Sequence, residues 1–239
     1  MSNADRNSVR VSRSPFQKTG RKSDSARAKG RVSLTRADVV AAGARLLDAE
    51  GVDGVSMRRL AGMLGTGPAT LYWHVKDKHE LLSAILEDTL RDVRAPTEGA
   101  WDERLLELLR AARRALRARP ALIQVIWSSG WQLGPETLRG ADEMIGLIAQ
   151  SGTPQDEVAD VYYALTAFLF GFVAAEATTP GTSRYREPKG GAAAFANLAR
   201  YQPAADHAGM DRRFEAGIVR FVASLRTKRA GGGRARKRR

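Results

Sequence analysis

The 239-residue chain contains no cysteine, which excludes disulfide scaffolds, thiolate zinc sites and cysteine nucleophiles. Histidine is nearly as scarce. His74, His79 and His207 are the three present, too few and too scattered for a metal site, so no metal and no other cofactor is expected. The longest apolar run, residues 161–175, counts 15 residues between Asp160 and Glu176, short of the roughly 18 that would suggest a membrane span. The polar, Ser- and Arg-rich start lacks the apolar segment of a secretory signal. A cytoplasmic protein without a membrane partner is the expectation. Metalloprotease, P-loop, nucleophile-elbow and dinucleotide motifs are missing, and the Gly65–Thr70 stretch has neither a third glycine nor a preceding strand, so no enzyme is expected.

What is abundant is positive charge. The chain carries 39 Lys+Arg against 26 Asp+Glu, a formal net charge of +13. Its distribution is uneven. Residues 1–33 hold nine basic and two acidic residues, and residues 226–239 hold eight basic and none acidic. The two ends thus carry +15, leaving −2 for the rest. The expected organisation is a disordered basic arm (1–33), a first domain (34–94), a second domain (95–226) and a disordered basic tail (227–239). The arms would add salt-sensitive affinity for a polyanion; they are also the basis of an alternative reading, a non-specific nucleoid-type DNA binder.

Periodicity from Leu34 onward is helical, and no convincing strand pattern occurs, so the fold class is all-α. Thr35 and Asp38 form a capping box for a helix over 36–50, with Val39, Val40, Gly43, Leu46 and Leu47 on one face. Ser56 caps a second helix with Met57, Leu60, Ala61 and Leu64 as its apolar stripe, and Gly65 ends it. Pro68 opens a third helix over 68–74, since proline suits the first helical position. Asp77 with Glu80 caps a fourth over 78–91. Further helices are expected over 102–117, 121–128, 135–150, 156–177, 191–201 and 211–227, with a loop over 178–190.

The second and third helices, joined by Gly65-Thr66-Gly67, have the size and spacing of a helix-turn-helix, which sets its second helix in the DNA major groove. Leu60, Leu64, Leu71, Val75 and Leu82 can close a small core. Arg58, Thr70, Tyr72, Trp73 and His74 are left on other faces, where two large aromatics need a cover that a DNA groove would supply. Thr70 offers a hydroxyl and a methyl to bases, Tyr72 and His74 suit phosphates, Trp73 can pack on sugar or a thymine methyl, and Arg58 can reach a phosphate or a guanine edge. Lys76 and Lys78 suit backbone phosphates, and Gly67 with Pro68 opens the helix.

The run Leu71-Tyr-Trp-His-Val-Lys-Asp-Lys78, preceded by Arg58-Arg59-Leu60-Ala61 and Leu64-Gly65, resembles the DNA-binding domain of the TetR family of bacterial transcriptional regulators, over about residues 34–90. The resemblance implies operator contacts from Arg58, Thr70, Tyr72, Trp73, His74 and Lys78, and a double-stranded, palindromic operator as partner. The tetracycline-repressor subfamily reads bases with a Gln-Pro pair where this chain has Pro68-Ala69, which implies a different base preference.

The segment 211–225 is similar to the final helix of that subfamily, which pairs with its dimer mate. Phe214, Ile218, Phe221, Val222 and Leu225 form one apolar stripe, and the helix over 156–177 is apolar nearly all round. A four-helix homodimer contact using Phe168, Phe172, Phe214, Ile218, Phe221 and Leu225 is expected. The resemblance also implies a small-molecule effector that releases the repressor from DNA. Gln124, Trp127, Trp131, Tyr162, Thr166 and Phe170 are candidate lining residues, joined by Trp101, Met144 and Tyr163. The subfamily holds a magnesium-chelated drug through histidines. No histidine lies between His79 and His207, so a mostly apolar or aromatic effector is expected instead.

Overall fold

The computed structural model describes residues 34–128, 134–178, 197, 200 and 207–231, and everything below refers to these. They contain helices and turns and no strand. The first helix, α1 (Arg36–Gly54), begins as its sequence dictates: Thr35 Oγ1 accepts the Asp38 N–H at 3.2 Å, and the Asp38 carboxylate accepts the Thr35 N–H at 2.9 Å. The helix breaks at Gly51, whose φ of 70° is open to glycine at little cost, and a last turn runs on to Gly54. Ser56 caps α2 (Met57–Met63) by accepting the Arg59 N–H at 3.3 Å. At its end Gly65 (φ 62°) donates to the Gly62 carbonyl and Thr66 to the Ala61 carbonyl, the paired bonds of a Schellman stop. Four residues form α3 (Pro68–Leu71), shorter than expected, but His74 and Val75 both donate to the Leu71 carbonyl and carry the turn onward. Asp77 then caps α4 (Lys78–Leu90).

Leu60, Leu71, Val75, Leu81, Leu82 and Ile85 are buried against Val39, Val40, Leu46 and Leu47 of α1, whereas Met57 and Leu64 are half-buried. A Cβ at Gly43 would stand 2.8 Å from a Leu81 methyl. That glycine lets α1 and α4 approach closely.

The remaining helices are α5 (Trp101–Ala118), α6 (Ala121–Ser128), α7 (Pro135–Gln150), α8 (Val158–Thr178) and α9 (His207–Gly231). Helix α9 outruns its expected limits at both ends, so residues 227–231, assigned to the basic tail, are helical. The arm over 1–33, the loop over 178–190, the rest of the tail and most of the helix expected over 191–201 lie outside the described residues. The described residues from Thr35 onward cluster as one compact unit.

The apolar stripe of α9 faces the protomer's own core. Phe214, Ile218, Val222 and Leu225 are buried within the protomer together with Leu165, Leu169 and Val173 of α8. Phe214 is 5.9 Å from Phe168 and 5.3 Å from Phe172, ring centre to ring centre, and a Cβ at Gly217 would overlap the Phe168 ring. Arg113 of α5 lies 4.5 Å over the Phe214 ring and pairs with Glu176 and Asp211. Phe214, Ile218 and Leu225, assigned to a dimer contact, are thus already buried without a second copy, while Phe168, Phe172 and Phe221 remain half-buried. Periodicity marks a buried stripe without saying what buries it. Val158–Ala177 is also long and apolar enough to cross a membrane, contrary to the 15-residue count, and only 17% of its most apolar stretch is buried; one side of α8 packs against α5, α7 and α9.

Gly43→Val should overpack the α1–α4 contact and lower stability by about 1–3 kcal/mol, read as a drop in the urea midpoint; an unchanged midpoint would contradict that contact.

Candidate DNA-binding surface and effector cavity

The helix-turn-helix presents a bare aromatic tip. Trp73 is 88% exposed and Tyr72 54%, while their neighbours Leu71 and Val75 are buried and fix the turn. Arg58, Gly67, Pro68, Thr70 and Lys76 are exposed, and His74 and Lys78 are half-buried. Met63, 47% exposed, adds apolar surface that sequence periodicity did not single out. Among the described residues Arg58, Lys76 and Lys78 form no ion pair, whereas Arg59 is tied to Glu50 at the end of α1. Of two adjacent arginines, one braces α2 and the other stays available.

Glu80 also differs from expectation. Its carboxylate reaches past the Asp77 amide to accept the Lys76 N–H at 2.8 Å, and the Arg36 guanidinium lies 3.2 Å away. The Lys76 N–H, assisted by Arg36, holds this carboxyl below the usual carboxylate range. Glu80 thus pins the stretch of chain that follows Trp73.

A cavity of about 80 Å³ lies where α4, α5, α7 and α8 meet. Leu90, Val93, Leu108, Ala112, Leu116, Met144 and Leu169 make it apolar, and Tyr162, Thr166 and Phe170 from the expected set line it. Thr166 spends its hydroxyl on the Tyr162 carbonyl at 2.6 Å. Burial, with a smaller contribution from Tyr163, raises the Tyr162 phenol above its ordinary value. Trp127, 61% exposed, meets Phe170 edge-on at 6.1 Å and so borders the cavity without lining it. Gln124 is exposed and does not line it, Trp101 and Tyr163 are likewise outside, and Trp131 lies outside the described residues. Among the described residues no group of three or more His, Asp or Glu could hold a metal ion.

The polar end of the cavity is the first turn of α7, through Glu136, Thr137 and Arg139. That turn also grips the helix-turn-helix half. Glu87 of α4 accepts the Glu136 N–H at 2.6 Å and pairs with the Thr137 hydroxyl. Arg139 donates to the Val93 carbonyl at 2.9 Å, Arg94 pairs with Glu136 at 2.9 Å, and Glu143 accepts the Ala95 N–H at 2.9 Å. Arg119, after α5, bonds both Asp48 of α1 and Thr89 of α4. The one sequence signal for this junction is negative: Gly134-Pro135 opens α7 with no capping side chain of its own.

The family described as bacterial regulatory proteins, tetR family, matches residues 39–85, and the tetracyclin repressor-like C-terminal domain matches residues 95–229. The chain belongs to the TetR family. It is a DNA-binding transcriptional regulator, and the relatives it matches are regulators, which are not enzymes. The HTH-type transcriptional repressor DrrR1 of Streptomyces coeruleorubidus is 34% identical over 142 residues, 58% of this chain and 52% of that protein, so this chain spans about half of that relative's length. Apo ActR from Streptomyces coelicolor superposes with a TM-score of 0.71 at 29% identity, over 85% of this chain and 100% of that one; ActR with actinorhodin gives 0.66 at 29%, over 81% and 96%. BioQ with its natural double-stranded DNA operator gives 0.58 at 25%, over 81% and 99%.

The family match spans both halves, in keeping with a reading surface and a cavity that share α4. Glu80→Ala should cost about 1 kcal/mol at neutral pH, since its carboxylate is about one third exposed. A depressed folded pKa means this contribution is complete above the ordinary glutamate value of 4.5 and is lost as pH falls through the lower folded value. Urea melts of both proteins should show a gap at pH 7 that narrows at pH 3; a gap that widens on acidification would contradict the assignment.

Proposed function

We propose that the protein is a cytoplasmic, homodimeric repressor that holds a palindromic operator through Arg58, Gly67, Pro68, Thr70, Tyr72, Trp73, His74, Lys76 and Lys78, and lets go when a small apolar or aromatic effector enters the α4–α5–α7–α8 cavity. One observation carries this reading: Trp73 stands 88% exposed beside Tyr72 at the tip of a helix-turn-helix, flanked by Arg58, Lys76 and Lys78, which form no ion pair among the described residues. Two large aromatics exposed side by side mark an interaction surface. Groove edges and phosphates suit this mixture of aromatic, hydroxyl and cationic groups.

The names of the relatives support the remaining parts. DrrR1 is called a repressor, ActR is seen with actinorhodin, and BioQ is seen with its operator. A drug-sized ligand needs about 300 Å³ or more, so entry into a cavity of about 80 Å³ requires its walls to move. That requirement gives an effector leverage on the fold.

A second copy is assigned to the outward face of α8, where Ala164, Ala167 and Gly171 are exposed beside half-buried Ala174, and to Ala216, Val219 and Ala223 of α9. These small residues permit close helix approach, and they replace the aromatic stripe that the protomer itself consumes. A self-complementary patch of this kind forms a two-fold dimer and places two heads on a palindrome.

Selection of bound fragments from a random DNA pool should yield a palindrome held about 10³-fold or more tightly than bulk DNA. Trp73→Ala should lose at least about tenfold of that affinity while stability moves by no more than about 0.5 kcal/mol. Equal affinity for random DNA would favour the non-specific nucleoid-type binder instead.

A further inference from the structure

Helix α7 begins at Pro135, and its N-cap residue Gly134 has no side chain to satisfy the free amides of the first turn. The carboxylate of Glu87, 49 residues earlier on α4, does so instead, bonding the Glu136 N–H and the Thr137 hydroxyl. Gly134 is the condition for this approach. A Cβ there would stand 2.7 Å from Glu87 Cγ and would overlap the carboxyl carbon, so any other residue at 134 would force the Glu87 side chain to shift.

We infer that the Glu87–α7 clasp is a positioning device that holds each helix-turn-helix head at the angle needed for two-headed binding, and that Glu87, though remote from DNA, sets affinity for the palindrome. The inference rests on the reading as a dimeric operator-binding protein. Helix α4 packs on α1 through Leu81, Leu82 and Ile85, which ties its first turns to the head. The first turn of α7 belongs to the body, and its Glu136, Thr137 and Arg139 also line the cavity. The turn that holds Glu87 is thus also one wall of the cavity. Arg119–Thr89 and Arg139–Val93 grip the same region, so loss of the clasp should loosen the head without freeing it.

A plain capping role and a positioning role predict different outcomes, because Ser at 134 can cap α7 from its own position. Wild type, Glu87→Ala, Gly134→Ser and the double variant are compared in thermal melts, and by fluorescence anisotropy on the selected palindrome and on a single half-site. Positioning predicts that Glu87→Ala weakens palindrome binding by about fivefold or more, the lower end of ordinary coupling, with half-site binding unchanged. It also predicts that the double variant regains melting temperature but not palindrome affinity, and that Gly134→Ser alone shows the same affinity loss. Recovery of palindrome affinity together with stability in the double variant would reduce Glu87 to a cap and overturn the inference, as would wild-type affinity in Glu87→Ala. A wild type without preference for the palindrome would remove the reading as a specific regulator, and this inference with it, before any variant is compared.

Discussion

Helix α4 belongs to two cores at once, and the rest of the structure depends on that sharing. Its first turns supply Leu81, Leu82 and Ile85 to the small head, where Gly43 lets α1 come close enough to cover them. Its last turns supply Leu90 to the wall of the cavity and Glu87 and Thr89 to the body. One helix of 13 residues therefore joins the two. Buried apolar contact at one end and charge-assisted bonds at the other give it two different kinds of attachment, the second easier to exchange than the first.

The electrostatics follow the same division of labour. A net charge of +13 suggests a large cationic reading surface, yet residues 34–94 hold eight basic and nine acidic residues. Over 56–79 the sequence shows Arg58, Arg59, Lys76 and Lys78 against Asp77 alone. The structure trims this patch further, since Arg59 is spent on Glu50. Three cations around two exposed aromatics remain. On the proposed reading, recognition rests on shape, apolar contact and a few phosphate bonds, and any help from the charge of the sequence ends would fade with salt.

Local signals were legible in the sequence. Thr35 with Asp38, Ser56, Gly65, Pro68 and Asp77 each act within a few residues of themselves, and each caps, opens or ends a helix where its chemistry says it should. Contacts made across the fold were not legible. Glu80 read as a partner for Asp77 but reaches the Lys76 amide, because the backbone turns back there after Val75. Glu87 carries no motif; it matters because Gly134, 47 residues on, leaves room for it. The apolar stripe of α9 was visible, but a stripe cannot tell a neighbouring helix from a second chain, and Phe214 turned inward onto Phe168 and Phe172. Three of the six expected effector residues gather at one cavity because Tyr162, Thr166 and Phe170 share a face of α8 at helical spacing.

The claim that α4 binds head and body into one cooperative unit is tested most directly by native-state hydrogen exchange across a urea series. The account predicts that the core amides of α4 and the Glu136 and Thr137 amides in the first turn of α7 lose protection together along one unfolding isotherm. Loss of α4 protection together with α2 and α3, at markedly lower urea than α7, would contradict it.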